Sequence, residues 1–456
     1  MSRTVAVLLG LVFACSLGLH AHRAANPTSY YQSQDERAYG GLAIGIADHL
    51  RYGSPEGASL RWPPGAPMLF AIGHRVAPGA TDERTSEVGA SYWLQALVSL
   101  GTALAACILA WTLAGRWAGL LAAALVGLYP PLILATGEQL SEPLGAFFVT
   151  AGFAALALRQ RYRFAVVVAG VLWGLAVLTR ADLLLAPIFI AIVAAGWLAL
   201  RRRRPRAAVG FAFAFLGGAA VVILPWVIFA SVKTERFVPV TSGSPSALFV
   251  GTYLPGDGTT FGMKRALADE TRRLHPKLAN TEPLNLTAAS VLDVVAARHP
   301  DLPRDKAISL EARRNLTRYG LGEPVAFARM MADKSLRMWS RYARGGARHT
   351  SAAIRVWHIL LVVGSLAGLL VGIRRRRDPI LIAILLVVLY STALHALVVS
   401  QGRYNLPLMP ALMAGGVAGW FLAFGRRREP EPATLPEWTS DGSESGRAAV
   451  KAAPAS

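Results

Sequence analysis

Crossing bilayer hydrocarbon takes about 20 mostly apolar residues in a helix, and this chain repeats that pattern along most of its length. Apolar runs of near that length occupy 4–22, 90–115, 117–135, 142–158, 207–230, 354–373, 379–399 and 406–424. A longer run, 164–200, is broken once by Arg180-Ala181-Asp182 and is too long for one span, so it reads as a hairpin of two short helices. The result is an expectation of an all-α polytopic membrane protein with about ten transmembrane helices. Pro130-Pro131 should end the 117–135 helix early, and 142–158 is short for a span. Composition agrees: 54% of the 456 residues are hydrophobic and 16% charged, against about 25% charged in a soluble domain. Cys15 and Cys107, the only cysteines, lie inside apolar runs, which excludes a disulfide framework or a Cys-based zinc site by count.

Charge gives the helices a direction. The formal net charge is +20, which in a soluble chain would suggest a nucleic-acid partner. Here no nucleic acid is expected, because alternate connections carry the surplus: Arg116; Arg159, Arg161 and Arg163; Arg201 to Arg204 with Arg206; Arg374 to Arg377; and Arg426 to Arg428. The short connections between them hold Glu138 and Glu142, Arg180 with Asp182, and Arg403. By the positive-inside rule the arginine-rich set is cytoplasmic, which puts both termini inside. The alternative for 1–22 is a cleaved signal peptide with a small-residue site near Ala21. A retained helix suits the loop that follows better.

The expected organisation is a first span at 1–22, an external loop at 23–89, spans two to seven over 90–230, an external segment at 231–353, spans eight to ten over 354–424, and a tail at 425–456. The 231–353 segment holds 19 basic and 11 acidic residues and is too polar to span. It reads as mixed: strand-like or irregular chain from Thr241 to Gly262, then helical patterns near 287–299 and 306–343. The tail, rich in Pro, Glu, Ser and Ala, reads as disordered cytosolic chain.

Ionisable residues at the ends of spanning helices are functional candidates by default, and here they gather on the external side. The first loop carries Asp35-Glu36-Arg37-Ala38-Tyr39, an amphipathic stretch from Leu42 to Leu50, and Arg61-Trp62-Pro63-Pro64-Gly65. The bland alternative for Asp35-Glu36 is a solvated loop or a helix first turn, where acids suit the helix dipole. Further on come Gly137-Glu138-Gln139-Leu140-Ser141-Glu142-Pro143, the stretch Leu178-Thr179-Arg180-Ala181-Asp182, Arg236-Phe237-Val238-Pro239, and Gly402-Arg403-Tyr404-Asn405-Leu406-Pro407. The order and sidedness of this set resemble the GT-C membrane glycosyltransferases, specifically the family 39 type that includes protein O-mannosyltransferases and aminoarabinose lipid A transferases. Each motif is short; together they cover most of 1–424.

The resemblance implies a polyprenyl-phosphate sugar donor and a catalytic acid in the first external loop, which falls on Asp35 with Glu36 beside it. A carboxylate there can take the proton from an attacking hydroxyl. Arginines can bind the departing phosphate through their planar forks; the candidates are Arg403, Arg180 and Arg61, with Tyr404 adjacent. Their plainer readings are an interfacial snorkelling residue, a structural pair with Asp182, and an ordinary loop arginine respectively. Glu138, Glu142, Asp182 and Tyr39 are candidates for positioning substrate, with helix capping the alternative for the two glutamates. The histidines show no HExxH or similar spacing, so no metal site is assigned and no cofactor is expected. Expected partners are the donor lipid, a lipid, glycan or protein acceptor, and the bilayer. Two rivals are carried forward: a secondary transporter or lipid flippase, and an oligosaccharide polymerase or ligase using a lipid-diphosphate donor. Transporters place polar residues near the midplane on broken helices in related halves, whereas these charges sit at one face.

Overall fold

The structure is a computed structural model and describes residues 3–27, 34–53, 60–77, 81–82, 85–86, 90–342 and 351–424. The expected tail at 425–456 lies outside the described residues, as do parts of the expected loop at 23–89 and residues 343–350 of the segment at 231–353.

In chain order, α1 (Arg3–Ala25) is followed by α2 (Gln34–His49), α3 (Gly65–Val76) and α4 (Ser91–Ala114). A two-residue antiparallel pairing, β1 (Thr81–Asp82) with β2 (Thr85–Ser86), lies between α3 and α4. Next come α5 (Arg116–Gly127), α6 (Pro130–Thr136), α7 (Glu142–Ala157), α8 (Ala165–Thr179), α9 (Ala186–Gly196) and α10 (Pro205–Thr234). Seven helices, α1, α4, α7, α9, α10 and the later α17 (Ala352–Arg376) and α18 (Pro379–Leu397), are long and apolar enough to cross a membrane once the short turns flanking α7 and α9 are included. The α5–α6 pair, bent by 50°, is together long and apolar enough to count as an eighth candidate, and α8 and the closing α19 (Met409–Phe424) are shorter apolar helices. All ten runs read from the sequence are therefore helical, and the chain is a multi-pass membrane protein.

The local breaks have local causes. Tyr129 is extended, as a residue preceding proline prefers, and α6 restarts with Pro130 in its first turn. The expected hairpin at 164–200 is α8 and α9 joined through a tight turn at Ala181–Leu183. In lipid there is no water to drive helices together, so close backbone approach matters. α8 meets α10 at Gly170, where a Cβ would stand 2.0 Å from the Phe215 carbonyl oxygen. Gly419 of α19 does the same against the Gly368 carbonyl of α17, again at 2.0 Å. α1 is joined by polar contacts: Ser16 Oγ donates to the Gly127 carbonyl at 2.9 Å, and His20 Nδ1 meets Thr136 Oγ1 at 2.7 Å.

The segment after α10 differs from the mixed structure expected of it. Among its described residues every regular element is helical: α11 (Ser244–Thr252), α12 (Thr260–Ala266), α13 (Ala268–Leu274), α14 (Ala288–Ala297), α15 (Arg304–Gly322) and α16 (Pro324–Ser340), with short 3-10 turns between. Gly243, Ser244 and Pro245 sit at the start of α11, and Pro255, Gly256 and Gly258 in the turn between α11 and α12. Thr259 accepts from the Gly262 amide to start α12, and Pro245 lies in the first turn of α11. Helices of seven to nine residues show too few turns for a period to be read. Their apolar residues close a separate core of Phe249, Met263, Leu267, Val291, Val295 and Ile308.

Several contacts fasten this helical unit to the spans, among them Trp339 Nε1 to Thr392 Oγ1, Asn405 Nδ2 to the Met338 carbonyl, and a buried lysine. Lys334 of α16 donates to the Gly251 carbonyl at the end of α11 (2.8 Å) and to the Ala396 carbonyl at the end of α18 (2.6 Å). Burial, helped by the charge of Arg337, pushes its ammonium down to about 7. The Val399 amide adds a bond to the Ala247 carbonyl at 3.0 Å. The end of α18 is thus held from outside, which fixes the wall of the site described next.

Candidate functional site

Six separate chain segments bring polar side chains, Thr241 of the stretch before α11 among them, to one cavity of about 220 Å³. α2 contributes Asp35 and Tyr39, the 60–64 connection Arg61 and Trp62, and the start of α7 Ser141 and Glu142. The α8–α9 turn contributes Arg180 and Asp182, and the end of α18 with the following 3-10 turn at Gly402–Asn405 contributes His395, Arg403 and Tyr404. These connections alternate along the chain with the arginine-rich ones, so they meet at the opposite end of the bundle.

The charges form an alternating chain. Arg403 Nη2 donates to Asp35 Oδ2, and Arg403 Nε lies 3.4 Å from Glu142 Oε1. The same Glu142 oxygen is 3.4 Å from Arg180 Nη1, whose Nε donates to Asp182 Oδ1 at 3.2 Å. His395 Nε2 closes the series against Asp182 Oδ2 at 3.1 Å. Tyr404 stacks in the middle, with the Arg180 and Arg403 guanidinium carbons 5.2 and 5.7 Å from its ring centre. Buried ions need such mutual pairing, because desolvation of an isolated charge is prohibitive.

Exposure separates the acids. The Glu142 side chain is 3% exposed, Asp182 18% and Asp35 35%, so Asp35 is the carboxylate that an incoming group meets first. Its position in the first turn of α2 also suits the helix dipole, so the plain reading and the functional one hold together. Burial pushes the Asp35 carboxyl up, but the Arg403 charge and hydrogen bond, the Trp62 indole at 3.4 Å and Arg61 together hold it below the usual carboxylate range. Arg403, though buried, is kept firmly charged by Glu142 and Asp35. Arg61 stands apart: among the described residues no carboxylate lies within ion-pair distance of it, and its guanidinium rests 5.5 Å from the Trp62 ring centre.

Eight of the ten residues singled out from sequence therefore meet: Asp35, Tyr39, Arg61, Glu142, Arg180, Asp182, Arg403 and Tyr404. Glu36, although buried, is not among the cavity's lining residues, since the next position on a helix turns about 100° away. Glu138 is not among them either; its carbonyl accepts from the Gln95 amide. Sequence reasoning passed over His395 and the Trp62 indole. Metal-ligand spacing does not single out His395, whereas its placement in the last turn of a spanning helix does. Among the described residues no three His, Cys, Asp or Glu side chains are grouped so as to hold a metal ion.

No family model and no curated protein matches the sequence. Solved structures do match. The oligosaccharyltransferase AglB of Archaeoglobus fulgidus, in complex with an inhibitory peptide and a dolichol-phosphate, superposes with a TM-score of 0.53 at 15% identity over 94% of this chain and 52% of that one. The apo Archaeoglobus fulgidus oligosaccharyltransferase gives 0.51 at 16% identity over 92% and 50%. ArnT from Cupriavidus metallidurans, bound to undecaprenyl phosphate, matches over 91% of this chain at 18% identity with a TM-score of 0.37, at which the likeness carries no argument. The chain spans about half the length of the oligosaccharyltransferases. At these identities the likeness is one of fold, and that fold is the GT-C arrangement expected from the sequence resemblance.

Proposed function

We propose that this protein is a membrane glycosyltransferase that moves a single sugar from a polyprenyl-phosphate carrier to a hydroxyl of a lipid, glycan or protein acceptor at the extracytoplasmic face, with both termini cytoplasmic. The observation that carries the reading is a solvent-reachable carboxylate, Asp35, set among three arginines in a cavity at one end of a GT-C bundle. Asp35 accepts the proton of the acceptor hydroxyl as that oxygen forms its bond to the anomeric carbon. The bond from that carbon to the phosphate oxygen breaks, and the carrier leaves as its phosphate with one more negative charge. Displacement in one step inverts the anomeric centre.

The leaving phosphate needs fixed cations near the oxygen that gains charge. Arg61 is available without breaking a carboxylate pair, and Arg403 turns toward phosphate by releasing Asp35. That release frees Asp35 from the contact that depresses its proton affinity, so donor binding makes it a better base. Arg180 holds Glu142 and Asp182 in place. Tyr404 stacks beside both arginines, and Tyr39, through Ser141, backs the wall. The steps use the chain's own side chains, and no cofactor is assigned.

The likeness in fold to an oligosaccharyltransferase keeps an oligosaccharide donor in view, which the sequence reading places on a lipid diphosphate. The cavity, small beside the ~300–1,000 Å³ of ordinary ligand pockets, favours one sugar. Purified protein given a panel of radiolabelled polyprenyl-phosphate sugars and lipid-diphosphate oligosaccharides should release polyprenyl phosphate from a member of the first group. Release of lipid diphosphate instead would select the rival. Counterflow in liposomes with no turnover would select a transporter.

A further inference from the structure

Among the described residues, two polar atoms in this cavity find no hydrogen-bond partner although both are buried: Glu142 Oε2 and Arg403 Nη1. They belong to groups that meet, since Arg403 Nε lies 3.4 Å from Glu142 Oε1, and their side chains are 3% and 8% exposed. One is an acceptor and the other a donor. Buried groups left in this condition are uncommon and costly, and their shared site defines the chemistry of what satisfies them. A phosphate oxygen suits Arg403 Nη1 but has no proton for Glu142 and is repelled by it. An ammonium suits Glu142 and is repelled by Arg403. A hydroxyl satisfies both, donating its O–H to Glu142 Oε2 and accepting from Arg403 Nη1.

Resting on the glycosyltransferase reading above, we propose that Glu142 and Arg403 form a subsite for a ring hydroxyl of the donor sugar, distinct from a phosphate subsite at Arg61. The acceptor's hydroxyl is the poorer occupant, because it must reach Asp35 at the mouth, where 35% of that side chain is exposed, whereas Glu142 is shut in behind it. The arrangement also keeps the two ends of the donor in order. The carboxylate of Glu142 excludes phosphate from the inner position, and Arg61, with no carboxylate of its own, attracts it outward. Arg403 spans the two, since Nη1 faces the hydroxyl while Nη2 is the group that passes from Asp35 to phosphate.

The test compares two kinds of probe on full-length protein in detergent: bare undecaprenyl phosphate, and undecaprenyl phosphate bearing mannose, glucose or arabinose, with binding read by native mass spectrometry. Wild type should bind one sugar-bearing lipid at least tenfold more tightly than the bare lipid. Glu142→Ala should erase that preference while binding the bare lipid equally or more tightly, because a negative charge has gone. Glu142→Gln, which keeps an acceptor oxygen and the side-chain shape, should retain part of the preference and carries the readout if Glu142→Ala does not fold. An equal loss for both lipids, or an intact preference in both variants, overturns the hydroxyl subsite while leaving the glycosyltransferase reading in place. If wild type binds neither kind of lipid, the lipid-phosphate reading itself falls, and the subsite with it.

Discussion

Replacing Lys334 by Met should loosen the outer unit from the spans and change how stability depends on pH. The ammonium is fully buried and serves two carbonyls at helix ends, Gly251 on α11 and Ala396 on α18. Methionine fills similar space but leaves both oxygens unsatisfied, at about 1–3 kcal/mol each. The pH dependence follows from burial, which lowers the ammonium to about 7 in the folded protein, against about 10.4 in an unfolded chain. Between those values the unfolded state binds more protons, so stability rises as pH rises from 7 toward 10 and is lost as pH falls back through 7. The full difference is bounded by about 5 kcal/mol at ~1.4 kcal/mol per pH unit. Melting temperatures in detergent from pH 6 to 9.5 should climb in wild type relative to Lys334→Met, with the gap widening at the alkaline end. Parallel curves would refute the reasoning, and so would a gap that narrows with pH.

Other perturbations act nearer the chemistry or the helix crossings. Arg403→Ala should lower kcat/KM for the donor roughly 10- to 100-fold, in line with ~1.5–3 kcal/mol for a hydrogen bond to a charged group. It should also shift the acidic limb of the pH–rate profile upward, because burial of Asp35 is then no longer countered by its main cation; an unmoved limb would separate the two residues. Gly170→Leu should disrupt the α8–α10 crossing, where even a Cβ meets the Phe215 carbonyl at 2.0 Å, and lower the melting temperature by several degrees; an unchanged melt would refute the close approach.

Much of this architecture was legible because the bilayer imposes length and sidedness on a sequence. The Pro130-Pro131 break and the Arg180-Ala181-Asp182 hairpin were visible for the same reason: each interrupts an apolar run at a point a span cannot tolerate. The outer unit was less legible. α11 and α12 are short and flanked by Gly, Ser and Pro, and they are held by burial of Phe249 and Met263 against helices far along the chain. At the site, the residues that alternate with the arginine-rich connections came together because sidedness alone gathers them. Sequence could not say that Glu142, rather than Glu138, faces Arg180 and Arg403, since that depends on where α7 begins. It also could not show that His395 meets Asp182 across 213 positions of chain. Geometry turned a set of charges at one end of the bundle into an alternating chain with one reachable end.

The central claim is that Asp35 takes the proton from the attacking hydroxyl, and Asp35→Asn tests it with little change in shape. With a radiolabelled polyprenyl-phosphate sugar that wild type turns over, the variant should bind donor and melt close to wild type, yet release polyprenyl phosphate at least a hundredfold more slowly, within the ~10²–10⁴-fold range of general base catalysis. Release at the wild-type rate by a folded, donor-binding Asp35→Asn protein would contradict the account.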